Sequence, residues 1–187
     1  FRHKFMPPNL TPKKPKSYNL QDGSGFTLIE LLLYVAISGV ILLVISLFLQ
    51  TLLESRIKNQ TIAEVEQQGL QVMQIITQTL RNADAINSPA QGASAATLSI
   101  NTYTGANNPT VFDLGSEAIR IKEGVGAVIP LTNSRITASA LNFQNLSRAS
   151  TPGVIRISFT LTHVNPEGRN EYNFSKTFYA SASLRQP

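Results

Sequence analysis

The sequence predicts an α+β protein: a long N-terminal helix, half transmembrane and half amphipathic, packed on a C-terminal antiparallel β-sheet. Three observations carry that expectation. Phe26 to Leu53 is an apolar run with one formal charge, Glu30. Val65, Gly69, Val72, Ile76, Leu80 and Ala83 then recur every three or four residues, as on one face of a helix. Near the C-terminus, Ile155, Ile157, Phe159 and Leu161 alternate with polar residues, and so do Phe174, Phe178, Ala180, Ala182 and Leu184.

At 187 residues and 42% apolar content, there is room for one modest core plus something else. The sequence starts at Phe1 rather than Met, which reads as a fragment boundary, so the first few residues carry no argument. With no cysteine, a disulfide framework and thiolate metal sites are excluded and the compartment stays open. The net charge of +5 is concentrated at the front: Arg2, Lys4, Lys13, Lys14 and Lys16, offset by Asp22, leave only +1 for everything after Gly25. A domain that reads phosphate backbones carries a basic patch on its folded surface, so no nucleic-acid partner is expected.

Residues 1–25 are polar, basic and proline-bearing, and read as a leader peptide. The 28 residues from Phe26 to Leu53 would span roughly 42 Å as a helix, against about 30 Å of bilayer hydrocarbon, and read as a transmembrane segment. A cleaved secretory signal would have a shorter apolar region and a small-residue cleavage site. Basic residues ahead of the span predict a cytoplasmic N-terminus, with everything beyond Leu53 outside. Residues 54–87 form the amphipathic helix, with Glu64, Gln67, Gln71, Gln74, Gln78 and Arg81 on its other faces. Ile57 to Thr61 is the place where a break could fall, and Asn87-Ser88-Pro89 ends the helix.

Residues 88–187 make the sheet domain. Strands are expected over Ser94 to Tyr103, Val111 to Leu114, Ala118 to Lys122, Gly126 to Leu131 and Ala140 to Leu146, followed by the two alternating runs. Asn165 to Asn170 supplies turn chemistry between those runs, so they should pair antiparallel, with Lys176 interrupting the apolar face of the second. One-sided alternation means one covered face and one wet face, the cover being the amphipathic helix.

A carboxylate near the centre of a bilayer costs about 2.5 to 3.5 kcal/mol, and less near the interface, so Glu30 either sits at headgroup depth or has a partner. The stretch Gly25-Phe26-Thr27-Leu28-Ile29-Glu30, behind a basic leader and ahead of an uninterrupted apolar helix, resembles the class III signal of type IV pilins and type II secretion pseudopilins. The resemblance covers residues 1 to about 53. It implies cleavage between Gly25 and Phe26 by a prepilin peptidase/N-methyltransferase and N-methylation of Phe26. It also implies neutralisation of a neighbouring subunit's N-terminal amine by Glu30 during assembly. Gly25 would let the scissile backbone lie close to the protease's carboxylates, and removing Glu30 would strand a buried charge, at a cost of about 3 to 5 kcal/mol.

Two features depart from the family: the leader is long, and no proline kinks the apolar helix, in which Gly39 is the one loosening residue. The stretch VEQQGLQVMQIITQTLRNADAI resembles, more weakly, the second half of that helix in larger minor pilins and J-type or W-type pseudopilins. The implied partners are other pilin or pseudopilin subunits, the peptidase, an inner-membrane assembly platform and membrane lipid. The implied location is single-pass in the inner membrane, then a periplasmic or extracellular filament. The large C-terminal domain and the absence of cysteine favour a minor component. The alternative is a single-pass anchored adhesin or binding module that never enters a filament.

No catalytic constellation, metal site or cofactor is expected. His163 reads as a strand-end residue at a turn, and His3 lies in the leader. Gly124-Val125-Gly126 lacks the third glycine and the strand-turn-helix context of a nucleotide loop and reads as a turn between strands. Glu64 and Glu66 point about 200° apart on a helix and form no acid pair, and Glu167 and Glu171 fall in a solvated loop. No DxDxD-like spacing suggests calcium.

Overall fold

The computed structural model describes residues 25–185; the basic leader up to Ser24, His3 included, lies outside the described residues. The chain divides into two compact units, one ending at Ser46 and the other beginning at Leu47. A single helix, α1 (Leu28–Arg81), starts in the first and ends in the second. It is helical throughout Ile57 to Thr61, without the break considered there.

The second unit joins the C-terminal part of α1 to two antiparallel sheets, where the alternation suggested one. The five-stranded sheet consists of β1 (Ala83–Ser88), β3 (Leu98–Thr102), β4 (Thr110–Gly115), β5 (Ala118–Glu123) and β6 (Val128–Pro130), hydrogen-bonded in that order. The four-stranded sheet consists of β2 (Ser94–Ala95), β7 (Ile136–Asn145), β8 (Val154–His163) and β9 (Ser175–Ser183), also in that order. Together with the helix they enclose one core. Val65, Val72, Ile76 and Leu80 of α1 are fully buried there, with Leu98, Ile100 and Phe112 from one sheet and Phe143, Ile157 and Phe159 from the other.

The predicted packing face of the helix is therefore the buried one, and Gly69 explains how closely it packs. A Cβ at Gly69 would fall 2.1 Å from the ring of Phe178 on β9, so only a glycine lets that ring lie against the helix. Phe178 in turn stacks on Phe159, its cross-strand partner, at 5.5 Å between centroids. Lys176, one step along the same face, meets the helix by charge instead of packing: its Nζ donates to Glu66 Oε1 at 2.6 Å. The interruption in the apolar alternation marks where the sheet meets the polar flank of the helix.

The helix ends at Arg81, six residues before the expected stop at residue 87, and Ala83–Ser88 is strand β1. Asn82 and Asp84 are poor helix formers whose side chains compete for backbone hydrogen bonds. Extended backbone there pairs Ala83 with Thr102 and Ile86 with Ile100. Ala83 fits both the helical spacing and the strand, because it is fully buried in either reading. The last helical carbonyl, that of Arg81, accepts a hydrogen bond from Arg185 N at 3.2 Å.

Strand β7 begins four residues ahead of its expected start at Ala140. Ile136 and Ala138 point inward, then Leu141, Phe143 and Asn145 do, and the change of parity is a bulge in which Ala140 takes φ 51°. The β8–β9 pairing and its turn agree with expectation. Ile157 lies opposite Ala180 and Phe159 opposite Phe178, and Asn165 closes the turn through Oδ1 to Arg169 N at 2.9 Å and Nδ2 to Arg169 O at 2.8 Å. Gly124-Val125-Gly126 is the turn joining β5 and β6; Gly124 has φ 50°, and a Cβ there would strike the Ala106 carbonyl.

Candidate functional site

The first unit carries the residues singled out by the sequence. Thr27 immediately precedes α1, and its Oγ1 accepts a hydrogen bond from Glu30 N at 3.3 Å, the geometry of an N-cap. Glu30 sits in the first helical turn, where its charge also complements the positive end of the helix dipole. Tyr34, one turn on, donates its hydroxyl to Glu30 Oε1 at 3.2 Å. The ring of Tyr34 meets Phe26 edge to face, 6.0 Å between centroids and 73° between planes. Glu30 and Tyr34, four residues apart, share one helix face, and Phe26, just ahead of the helix, reaches the Tyr34 ring.

The Gly25–Phe26 peptide precedes the helix, and both residues are exposed. Among the described residues, a Cβ at Gly25 would meet nothing within 4 Å. Beyond it, the apolar side chains from Leu28 to Leu53 point outward, and the helix is long and apolar enough to cross a membrane. The capping role of Thr27 and the hydroxyl of Tyr34 escaped the sequence reading. The signals were present: a threonine three residues ahead of an acid, and a tyrosine four residues after it.

Residues 22–46 match the family model of the prokaryotic N-terminal methylation motif. No curated protein matches the chain, and no solved structure does. The motif, with the long apolar helix that starts inside it, is consistent with a type IV pilin-like protein and supports a pilin- or pseudopilin-type precursor. Such a motif implies processing by a prepilin peptidase and assembly with other pilin subunits, fits membrane anchoring, and points to a structural subunit rather than an enzyme.

A second polar cluster ties the helix to the four-stranded sheet within the second unit. Glu64 Oε1 accepts a hydrogen bond from Asn133 Nδ2 at 2.9 Å, and its Oε2 lies 3.6 Å from Arg135 Nη1 and 3.7 Å from His163 Nε2. His163 is the last residue of β8, as expected, but it is buried. Its Nδ1 lies 2.9 Å from the Val164 carbonyl, and its ring stacks on Tyr172 at 5.5 Å. With one nitrogen on the main chain and the other facing Glu64, the imidazole serves as a structural tie. Glu66 faces Lys176, so the two helix acids serve different partners and form no acid pair.

The β8–β9 loop is held to α1 next to this cluster: Lys58 Nζ donates to the carbonyls of Asn170 at 3.1 Å and Asn173 at 2.6 Å. Glu171, in the same loop, hydrogen-bonds its own backbone amide and pairs with Arg169, and both contacts hold its carboxyl below the usual range. Among the described residues, no three His, Cys, Asp or Glu side chains cluster as metal ligands would.

Proposed function

We infer that this chain is a minor pilin or pseudopilin subunit. In this reading it is cut between Gly25 and Phe26, methylated on Phe26, and drawn from the inner membrane into a filament through Glu30. The span Phe26 to Leu53 would hold the precursor in the membrane, with its N-terminus in the cytoplasm and the two-sheet head outside. The matched motif at residues 22–46 is the single observation that carries the reading.

The geometry at Glu30 supports it. A carboxylate has about four acceptor positions, and among the described residues its side-chain partner is the Tyr34 hydroxyl. One hydrogen bond does not offset the desolvation of a full charge, whereas a cationic amine brought by a neighbouring chain does. Tyr34 then has a definite job: it orients the acid within the isolated precursor and leaves the second oxygen for the incoming amine.

The test is co-assembly. With Glu30→Ala and Glu30→Gln, cleavage should proceed as in the unaltered chain, while recovery in sheared filaments falls at least about tenfold, as expected for a stranded buried amine. Normal incorporation of both variants would contradict the inferred role of the acid. An anchored adhesin that stays outside filaments would be indifferent to Glu30 and absent from the sheared fraction in every case.

A further inference from the structure

An edge strand presents backbone donors and acceptors that no strand of its own sheet can pair. The two open sheets end in β1, β6, β2 and β9, and all but β9 are blunted. Strand β2 has two residues, β6 has three and ends in Pro130, and β1 is interrupted by two register shifts and followed by Pro89. Short length, proline and bulges are the devices that keep an edge from pairing with other chains. Strand β9 has none of them. It runs nine residues, Ser175–Ser183, without proline, and pairs with β8 in one unbroken register. Its one charge, Lys176, is turned to the helix, where it donates to Glu66.

The register fixes which backbone groups of β9 are left over. His163 N donates to Phe174 O at 3.0 Å at one end of the pairing, and Leu184 N donates to Gly153 O at 2.8 Å at the other. Both bonds join directly opposed residues of the same register, so the even-numbered residues of β9 exchange their hydrogen bonds with β8. The odd-numbered ones, Ser175, Thr177, Tyr179, Ser181 and Ser183, therefore aim N–H and C=O at the open edge. All five are exposed, and none of their N–H and C=O groups has a backbone partner among the described residues. Phe178 and Ala182, between them, are buried in the core, so the strand is held from one face while its edge stays open.

We propose that the free edge of β9 docks an extended segment of a partner protein, which joins the four-stranded sheet as a further strand. Donors and acceptors that recur along a line about every 7 Å match the backbone of another strand, and no sugar, lipid or nucleotide repeats in that way. The side chains specify the segment further. Phe178 and Ala182 mark the core side and Thr177, Tyr179 and Ser181 the water side, so a segment alternating apolar and polar residues fits. A second copy of this chain does not suit the edge. Antiparallel pairing of β9 with its twin relates the two molecules by a half-turn about an axis normal to the sheet. The part of α1 packed on that sheet would then run in opposite directions in the two copies, whereas subunits of one filament all point the same way. The choice of partner rests on the pilin-like reading; the open edge does not.

The experiment uses the full chain in detergent micelles and two ten-residue peptides: the β8 sequence Val154–His163, which alternates as the site requires, and a scrambled version without alternation. The β8 peptide should protect the outward amides of Thr177, Tyr179 and Ser181 from hydrogen exchange, and the scrambled one should do so more weakly. Ser181→Pro and Thr177→Pro each remove an outward N–H that bonds no backbone group of the chain, so the thermal midpoint should barely move. Peptide affinity should fall about tenfold in either, as for one or two lost ladder hydrogen bonds. Tyr179→Ala keeps the backbone and should weaken binding less. Failure of the β8 peptide to protect these amides at millimolar concentration overturns the proposal without recourse to any variant, as does binding indifferent to both prolines. Concentration-dependent dimerisation of the unaltered chain that Ser181→Pro abolishes would give the edge to a second copy, and overturns it too.

Discussion

At the scale of single residues, Gly69 and Glu117 each sit where the presence or absence of a side chain has an energetic consequence. For Gly69, the opposing effects can be weighed. Alanine would gain about 0.5 to 1 kcal/mol from helix propensity, but its methyl group would press into the Phe178 ring, and overpacking of this kind costs about 1 to 3 kcal/mol. Gly69→Ala is thus expected to destabilise the head by about 1 to 2 kcal/mol in denaturant unfolding, and Phe178→Leu in the same chain should recover part of the loss. An unchanged midpoint would mean that the ring has room to retreat.

Glu117 is the reverse case. It and Ser116 form the β4–β5 turn with φ 58° and 52°, where a side chain costs about 1 to 2 kcal/mol. The two-residue hairpin between Gly115 and Ala118 requires positive φ at both positions, and the Glu117 carbonyl also accepts a hydrogen bond from Ala138 N at 2.6 Å, linking the two sheets. Glu117→Gly should therefore stabilise the fold by up to about 1 kcal/mol, the relief of strain being partly offset by the greater freedom of glycine when unfolded. A lower unfolding midpoint would count against strain at this turn.

At the scale of elements, the loop between β8 and β9 is the piece with a pH dependence. The carboxyl of Glu171 titrates below its ordinary value of 4.5 in the folded chain, so the contribution of its charged form is present above that value. It is lost as pH falls through the lowered one. Protection of the Asn170–Tyr172 amides, relative to their intrinsic exchange rate at each pH, should fall on acidification below the usual carboxylate range, and Glu171→Gln should be less protected already at neutral pH. Identical exchange in the two proteins at pH 7 would show that Lys58 alone holds the loop.

Sequence legibility also differed from element to element, for identifiable reasons. The β8–β9 hairpin was legible because its alternation is unbroken and its turn is chemically marked. The helix face was legible for the same reason, and Gly69 belonged to it. Strand β7 was half hidden because the bulge at Ala140 flips the parity, so Ile136 and Ala138 fall out of step with Leu141 and Phe143. Strand β1 was hidden because Ala83 fits either period, and only the pairing of Ile86 with Ile100, 14 positions away, decides for strand. That two sheets form instead of one depends on pairing between distant strands, which one-sided alternation does not encode. At the candidate site, Gly25, Phe26 and Glu30 stood out as a local motif, whereas the Glu64, His163 and Arg135 cluster joins α1, β8 and the turn ahead of β7 and had no local signature.

At the scale of the whole molecule, the two units carry different kinds of information. The matched motif occupies 25 of 187 residues and ends where the first unit ends, at Ser46. It bears on how the chain is processed and anchored. The head beyond it has its own core and an open sheet edge at β9, and neither includes residues of the motif. The contacts that stabilise the head, such as Gly69 with Phe178 and Glu64 with His163, are internal to it.

The central claim, that this is a processed pilin-like precursor, is tested most directly by the intact mass and N-terminal residue of the membrane-extracted protein, made with and without an active prepilin peptidase. The account predicts a chain that starts at methylated Phe26 only when the peptidase is present. A chain that keeps its basic leader in both cells would contradict the account and make the protein an ordinary single-pass anchor, with its function to be sought in the head alone.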